Sequence, residues 1–312
     1  MKKQRIGLHK IAMAALFTVG TVLIRYPWGQ SDGGIIFLFF LLAMGALIPP
    51  FVFYPLFRNL WRKPLSVNRG KRWLVAIFSI LFGAYAIYCG WKGCRDYVDF
   101  SMRLVLPQGS RLLLTVAFLW CASRMSALRD RSMDSFSLLG VGVALLCVAI
   151  LFLMGIPHFR WEYADASLFQ WNADAWKKFS SLWLESLLPL TVLALYFALT
   201  VPRGGERALA LGTGVGCGLL FFCVAQAILT FGAAYASELA YPYSYSARIL
   251  SVGPYFFRLE GISYLFDYLT CLWRCGISLA VVRRLLARFY PRLGKYVPIC
   301  LFVLLAAFFL IQ

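Results

Sequence analysis

Charged residues are scarce in this chain, and histidine is nearly absent. Only 14% of the 312 residues are charged, 13 residues are acidic, and the two histidines are His9 and His158. Cys271 and Cys275 stand one helical turn apart, but no further Cys or His accompanies them as a metal site would require. There is also no Ser/His/Asp set and no carboxylate pair in a defined motif. We therefore predict no metal, no cofactor and no enzymatic activity.

One glycine-rich run lacks the features of a nucleotide site. The run GTGVGCG begins at Gly212, but no strand precedes it and it lacks the lysine of a phosphate loop. Its glycines instead form two overlapping pairs at four-residue spacing, Gly212/Gly216 and Gly214/Gly218. Such pairs let membrane helices approach each other closely. The run therefore predicts a face for helix packing.

Apolar sequence, by contrast, is abundant. The chain is 61% hydrophobic and 17% aromatic. A helix needs about 20 apolar residues to cross a bilayer, and runs of about this length recur along the whole chain. We predict an all-α polytopic membrane protein with about nine transmembrane helices. They cover residues 11–28, 34–57, 73–91, 107–123, 137–156, 181–200, 208–231, 261–282 and 296–311.

The net charge of +18 follows the predicted loops and does not indicate a nucleic-acid surface. Alternate loops, on the side that holds the N-terminus, carry 20 of the 31 basic residues. An excess of Lys and Arg marks the cytoplasmic side, where such segments also contact anionic lipid. We therefore predict a cytoplasmic N-terminus, an external C-terminus and no nucleic-acid partner. The acids assigned to the external side are Asp32, Asp96, Asp99, Glu162, Asp165, Asp174, Glu238 and Glu260.

The eighth predicted span carries three charged residues at seven-residue spacing. Glu260, Asp267 and Arg274 share one helical face, each about 10 Å beyond the one before. A charge that faces lipid at bilayer depth costs several kcal/mol, so this face must meet protein or water. Asp267 and Arg274 are too far apart along the helix to pair tightly, and each requires a partner from elsewhere.

This charged face has two interpretations. It either fixes helix packing through structural pairs or lines a path for a substrate. An amino acid carries one ammonium and one carboxylate group. A helix that offers an acid and a base to one cavity could meet both groups, so Asp267 and Arg274 are candidate substrate-binding residues.

The middle of the first predicted span is also polar. Thr18, Gly20 and Thr21 lie there, and Pro27 follows one or two turns later. Glycine between hydroxyl residues at membrane mid-depth allows a break in the helix, whose freed backbone groups can turn to a ligand. The alternative is a face of small residues for packing. The three residues are candidates for substrate binding under the first interpretation.

Single polar residues in two other spans complete the candidate set. Tyr85 in the third span is either an anchor in the core or at the interface, or a ligand contact. In the sixth span, Glu185 lies close to the outer edge, at a depth near that of Asp267, and Tyr196 follows Pro189. These residues would contribute to an outer vestibule if their faces meet.

Three stretches carry a family resemblance. The first span contains GTVLIRYP (Gly20–Pro27), Pro202 closes the sixth, and a long segment (Tyr241–Trp273) leads into the eighth. This last segment has a Pro-containing loop, then Arg258-Leu259-Glu260, then a helix with a Trp. In these features the chain resembles the spore germination permease family. Its members are B subunits of germinant receptors, within the amino acid–polyamine–organocation transporter superfamily.

The resemblance implies a LeuT-like inverted-repeat permease fold. In that fold the first and sixth helices are unwound around a small-molecule site, and the third and eighth line it. One transmembrane domain would cover residues 1–312, with repeat one at about 11–156, repeat two at about 181–311 and the last helix lacking. The implied ligand is a small amino acid or similar nutrient. The implied partners are A-type and C-type germinant receptor subunits, and the implied location is the cell or spore inner membrane.

We therefore predict a permease-like membrane subunit of a nutrient germinant receptor, which binds a small amino acid and triggers spore germination. The first alternative is an ion-coupled secondary amino acid transporter. A scaffold that recruits partners without transport is a third possibility.

Overall fold

Ten α-helices make up the part of the chain that the structure describes, and no strand occurs in it. The structure is a computed structural model that describes residues 7–22, 43–62, 69–164, 188–201, 204–239, 241–250 and 259–289. The predicted all-helical class is confirmed. The helices are α1 (Leu8–Val22), α2 (Ile48–Arg62), α3 (Arg69–Leu104), α4 (Arg111–Ser126), α5 (Asp130–Gly155), α6 (Leu190–Thr200), α7 (Gly205–Phe231), α8 (Ala233–Glu238), α9 (Pro242–Ile249) and α10 (Glu260–Phe289).

Four helical segments are long and apolar enough to cross a bilayer, as expected of an integral membrane protein. They are Val75–Leu104, Asp130–His158, Gly205–Phe231 and Glu260–Arg288. Each has 27 to 30 residues, which at about 1.5 Å per residue exceeds the ~30 Å of a bilayer core. They match the third, fifth, seventh and eighth predicted spans. Helices α1 and α6 are shorter apolar helices at the first and sixth, and the ninth predicted span lies outside the described residues.

The fourth predicted span, at 107–123, corresponds to α4, which begins at Arg111 and has 16 residues. Ser110 caps this helix, because its hydroxyl accepts a hydrogen bond from the Leu113 N–H at 3.4 Å. Sixteen residues rise only about 24 Å, which is less than the bilayer core. The buried side of α4, including Phe118 and Leu119, packs against α10.

Helix α10 is the most buried of the four long helices. In its most apolar segment 83% of the residues are buried, against 33–50% in the other three. It packs against α1, α3, α4, α5, α6 and α9. Helix α3 runs antiparallel to it: Tyr264 near the start of α10 meets Leu104 at the end of α3, and Ser278 further along meets Gly90. The charged face of α10 is therefore surrounded by protein.

The glycine run of α7 packs through one of its two predicted pairs. A Cβ at Gly212 would overlap Ala14 and the Ile11 carbonyl oxygen of α1, and one at Gly216 would lie 2.8 Å from the Ala15 carbonyl oxygen. Within the described part of the chain, no atom of another element lies within 4 Å of a Cβ at Gly214 or Gly218. The prediction of a contact face is confirmed for Gly212/Gly216. The pair Gly214/Gly218 points away from α1, and its contact face stays a prediction.

Ion pairs gather at the two ends of the bundle. At one end Lys10 of α1 pairs with Asp134 of α5 at 2.5 Å, and Arg284 of α10 pairs with Asp130. At the other end Arg248 of α9 pairs with Glu260 of α10. The first end joins residues from predicted cytoplasmic loops, and the second joins residues from predicted external loops. The grouping agrees with the predicted alternation of loops. Which end of the bundle faces the cytoplasm stays a prediction.

The two glycine pairs of α7 give a matched test of this packing. We expect Gly212→Ala to lower the melting temperature of the detergent-solubilised protein, because overpacking costs about 1–3 kcal/mol. Gly214→Ala, two residues along the same helix, should leave the melting temperature unchanged or raised, since its added methyl group meets no atom of the described residues. Equal melting temperatures for the two variants would contradict the α1–α7 contact.

Candidate functional site

Arg274 lies midway along α10 and is 1% exposed. Its Nη1 donates hydrogen bonds to Asp96 Oδ2 of α3 at 3.2 Å and to the Gly20 carbonyl oxygen of α1 at 3.3 Å. Its Nε and Nη2 have no hydrogen-bond partner among the described residues. An unpaired buried donor costs about 1–3 kcal/mol, and a charged one costs more. Arg274 is therefore paired on one side of its planar group and open on the other.

Two glycines bring α1 and α3 close enough to reach Arg274. A Cβ at Gly93 of α3 would lie 3.3 Å from Arg274 Cδ and 3.6 Å from its Nε. A Cβ at Gly20 of α1 would overlap the Thr270 carbonyl oxygen and lie 3.4 Å from Arg274 Cβ. Any other residue at Gly20 would push α1 away from α10. The positions of Asp96 and of the Gly20 carbonyl thus depend on the absence of these two side chains.

The polar middle of the first predicted span is helical in the structure. The Thr18 hydroxyl donates to the Ala14 carbonyl oxygen at 2.8 Å, and the Thr21 hydroxyl donates to the Thr18 carbonyl oxygen at 2.7 Å. Of the two interpretations of this stretch, the described residues support the packing face. The Gly20 carbonyl oxygen lies in the last described turn of α1, where it accepts the hydrogen bond from Arg274. Residues 23–42 lie outside the described residues.

Asp267 is the second buried charged group of α10, and it is 2% exposed. Its Oδ2 accepts one hydrogen bond, from the Ser244 hydroxyl of α9 at 3.1 Å. No Lys, Arg or His among the described residues forms an ion pair with it. The sequence predicts that Asp267 and Arg274 find separate partners, and the structure confirms this. Asp267 therefore lacks a counter-ion within the described part of the chain, where Arg274 has one.

Glu260, the third member of the charged face, belongs to the outer end of the bundle. It accepts a hydrogen bond from Arg248 Nε at 2.8 Å, and this bond raises the pKa of the Arg248 guanidinium. Arg248 Nη2 and the Tyr264 hydroxyl both donate to the Leu104 carbonyl oxygen, at 3.4 and 3.3 Å. The end of α3 is thereby joined to α9 and to the start of α10. Glu260 has a structural role here.

The tyrosine candidates lie at different depths. Tyr85 of α3 is half-buried, with its ring 6.4 Å from that of Tyr88, and it interacts electrostatically with Arg274. Tyr196 of α6 is fully buried, and its hydroxyl donates to Met133 Sδ at 3.3 Å. The guanidinium of Arg284 lies 4.3 Å above the Tyr196 ring.

The structure brings together only part of the candidate set. Arg284 is ten residues after Arg274, about 15 Å further along α10. Tyr196 therefore sits near the end of the bundle opposite Asp267. The structure brings Gly20, Tyr85 and Arg274 together, and it places Asp267 about two turns away. Glu185 lies outside the described residues.

The apolar bundle contains a buried cation, a buried acid and close helix contacts. These features are typical of membrane permeases. The sequence profile of spore germination proteins matches residues 33–312, which is most of the chain. The chain belongs to the spore germination protein family. A comparison with curated proteins gives no match. Membership implies a permease-like subunit of a germinant receptor, in a transporter-like family that does not consist of enzymes.

Asp96 of this spore germination protein was not predicted as a site residue from the sequence. The predicted third span ends at residue 91 and leaves Asp96 in an external loop, but α3 continues to Leu104 and Asp96 is 8% exposed. The helix continues because its polar side chains find partners, Arg274 in the case of Asp96. The four-residue spacing of Lys92 and Asp96 was the available signal for a longer helix. Ser244 carried no such signal, since its role depends on how α9 folds back.

The Asp96–Arg274 pair of this family member can be tested by a double-mutant cycle. We expect Asp96→Asn to lower the free energy of unfolding by about 3–5 kcal/mol, because it leaves a buried guanidinium without a counter-ion. The double variant Asp96→Asn/Arg274→Met should recover part of this loss. Unfolding in mixed micelles of increasing denaturing-detergent content measures both. Additive losses would contradict the pair.

Asp99→Asn is the matched control on the same helix. Asp99 pairs with Arg95 and Arg111, whose side chains are 45% and 54% exposed. Exposed pairs contribute at most about 1 kcal/mol. The control should therefore lose much less stability than Asp96→Asn.

Proposed function

We propose that this protein is the permease-like membrane subunit of a nutrient germinant receptor, and that it binds a small amino acid where α1 and α3 meet α10. The observation that carries this proposal is the half-paired state of Arg274, which leaves Nε and Nη2 free among the described residues of the bundle interior. A buried donor without an acceptor destabilises a protein. A ligand that accepts hydrogen bonds from Nε and Nη2 would therefore stabilise this one.

The free donors of Arg274 suit a carboxylate. Nε and Nη2 stand on the same side of the guanidinium, so their N–H bonds run parallel and can reach both oxygens of one carboxylate. Asp96 and the Gly20 carbonyl occupy only Nη1. A ligand carboxylate would therefore add to the existing pair and need not displace it.

The ammonium group of the same ligand would be attracted to Asp267. Asp267 and Arg274 lie on one face of α10, about 10 Å apart along its axis. Helical side chains point toward the N-terminus, which directs the Arg274 guanidinium toward Asp267 and shortens the gap. Both residues are only 1–2% exposed, so the described conformation is closed, and entry of a ligand requires the helices to separate.

We further propose the LeuT-like inverted-repeat fold of about nine transmembrane helices, with repeats at about 11–156 and 181–311. Family membership supports it, and so do the contacts among α1, α3, α6 and α10, the helices of the first, third, sixth and eighth predicted spans. Helix α10 packs against each of the other three, and α6 also contacts α1 and α3. The proposed location is the cell or spore inner membrane, with A-type and C-type receptor subunits as partners.

An ion-coupled secondary amino acid transporter is the second candidate function. The specific observation in its favour is Asp267, a buried carboxyl group whose one described hydrogen bond comes from Ser244. Such a group can carry a proton or another cation through a transport cycle.

Direct binding tests the proposed ligand class. We expect the protein in lipid nanodiscs to bind at least one of radiolabelled glycine, L-alanine, L-serine and L-valine in a saturable manner. The methyl ester of that amino acid should compete at least about 100-fold less well, because it lacks the negative charge that strengthens both hydrogen bonds, and each charge-assisted bond contributes about 1.5–3 kcal/mol. Arg274→Lys should lose binding, since it keeps a cation for Asp96 without the planar pair of donors. Arg284→Lys, at the other end of α10, is the matched control and should keep it.

Uptake into proteoliposomes separates the two candidate functions. Binding without uptake supports a receptor subunit, and uptake driven by an ion gradient supports a transporter. A protein that is folded by size-exclusion chromatography and binds no amino acid of the panel would contradict both.

The proposed topology has its own test. A reporter that is active only outside the membrane, fused after Gln312, should be active, because nine spans from a cytoplasmic N-terminus end outside. A second fusion at residue 66, between α2 and α3, should be inactive. An inactive fusion after Gln312, with the fusion at residue 66 also inactive, would show that the spans are miscounted at the short helix α4. Reversed activities at both positions would show that the orientation is inverted.

A further inference from the structure

We propose that Asp267 holds a proton while the site is empty, and that the ammonium group of the incoming amino acid displaces this proton, so that one proton is released for each amino acid bound. The inference rests on the proposed function and adds a chemical step to it. It concerns the acid of the site and not Arg274.

The described surroundings of Asp267 contain no compensating positive charge. Tyrosine and cysteine side chains from α3, α7, the α9 region and α10 interact electrostatically with it, and they are Tyr97, Cys223, Tyr241, Tyr243 and Cys271. Burial raises the pKa of Tyr241 to about 12 and raises the pKa of Tyr243 well above its ordinary value, so both phenols are neutral at physiological pH. Arg274, two turns away, is engaged by Asp96.

A carboxylate in this position would be an isolated negative charge. At bilayer depth such a charge costs several kcal/mol, and a single hydroxyl donor offsets only part of that cost. A buried acid without a counter-ion avoids the cost by binding a proton. Asp267 is therefore a neutral carboxylic acid in the empty, closed protein.

A metal cation fits the position less well than a proton. Hard cations take six or more oxygen ligands, whereas Asp267 has one described oxygen partner, the Ser244 hydroxyl at 3.1 Å. The residues that the structure describes contain no cluster of three or more acidic, His or Cys side chains arranged to hold a metal ion. A proton needs only the carboxyl oxygen itself.

The exchange balances in atoms and charge. The neutral carboxylic acid of Asp267 and the positively charged ammonium group of the ligand become a carboxylate–ammonium ion pair, and the carboxyl proton leaves to solvent. No bond of the ligand breaks. Because a proton competes with the ammonium group for the same oxygen, affinity should rise as the pH rises and level off once Asp267 is ionised in the empty protein.

Calorimetry measures the released proton directly. The protein in nanodiscs is titrated at pH 7 with whichever amino acid of the four-member panel binds, once in phosphate and once in Tris, whose ionisation enthalpies differ. We expect the difference between the binding enthalpies in the two buffers to correspond to release of about one proton. The affinity should rise by up to about tenfold per pH unit until Asp267 is ionised in the empty protein. No proton release at any pH from 5 to 8 would overturn the inference and leave the proposed function standing.

Two variants assign the proton to its residue. Asp267→Asn keeps the shape of the side chain and its acceptor for Ser244, but it should release no proton. Glu260→Gln removes the other acid of this face, which is already paired with Arg248, and it should release the wild-type amount. If Asp267→Asn still releases one proton, the inference is wrong.

Infrared spectroscopy tests the empty protein without any amino acid. The C=O stretching band of a protonated carboxyl group should be present in the wild type and missing in Asp267→Asn. Its absence from the wild type would overturn the inference even if no amino acid binds. The failure of the proposed function, which is absence of binding, is thus distinguished from the failure of this step.

Discussion

A guanidinium buried midway along a membrane helix is the constraint on which the rest of this bundle depends. Arg274 requires a counter-charge, which α3 supplies through Asp96, and a backbone acceptor, which α1 supplies through Gly20. The approach of α1 requires Gly20, because a Cβ there would overlap the Thr270 carbonyl oxygen. Gly93 eases the approach of α3, since a Cβ there would lie 3.3 Å from Arg274 Cδ. Three helices from distant parts of the sequence are therefore fixed in depth relative to one another by one charged group, since a slip of one turn would leave that charge alone.

The charged face of α10 shows which features of the site can be predicted from the sequence and which cannot. Seven-residue spacing was sufficient to place Glu260, Asp267 and Arg274 on one buried face and to exclude a direct Asp267–Arg274 pair. It did not identify Asp96 or Ser244 as their partners. Spacing describes a single helix, whereas a partner depends on the depth and rotation at which a second helix packs. That register results from many side-chain contacts at once.

The glycines of α7 and α1 also show that the sequence does not identify the helix against which a face packs. Two residues along a helix turn it by about 200°, so Gly212 and Gly214 face nearly opposite directions. The sequence pattern fits both pairs equally, and only the position of α1 selects Gly212/Gly216. At Gly20 the pattern allows either a break or close packing. The Thr270 carbonyl directly behind Gly20 decides for packing as far as Val22, the last described residue of α1.

Arg274 and Asp267 of α10 differ in which helix contacts a ligand bound at each residue would change. A carboxylate at Arg274 can use Nε and Nη2 while Asp96 and Gly20 stay bound, so it need not loosen α1 or α3. Loss of the proton that we propose for Asp267 would strengthen the hydrogen bond that its carboxyl group accepts from Ser244 of α9, because a carboxylate is a stronger acceptor than a neutral acid. Helix α9 is also held by Gln226 of α7, which donates to Ser246 at 3.1 Å, and by Arg248 on Glu260. The hydrogen bonds of α9 therefore connect Asp267 with α7 and, through Arg248, with the end of α3. Under the proposed function, a change at Asp267 would therefore reach the outer end of the bundle through α9 and Arg248, whereas a carboxylate bound to Arg274 would leave the contacts of α1 and α3 unchanged.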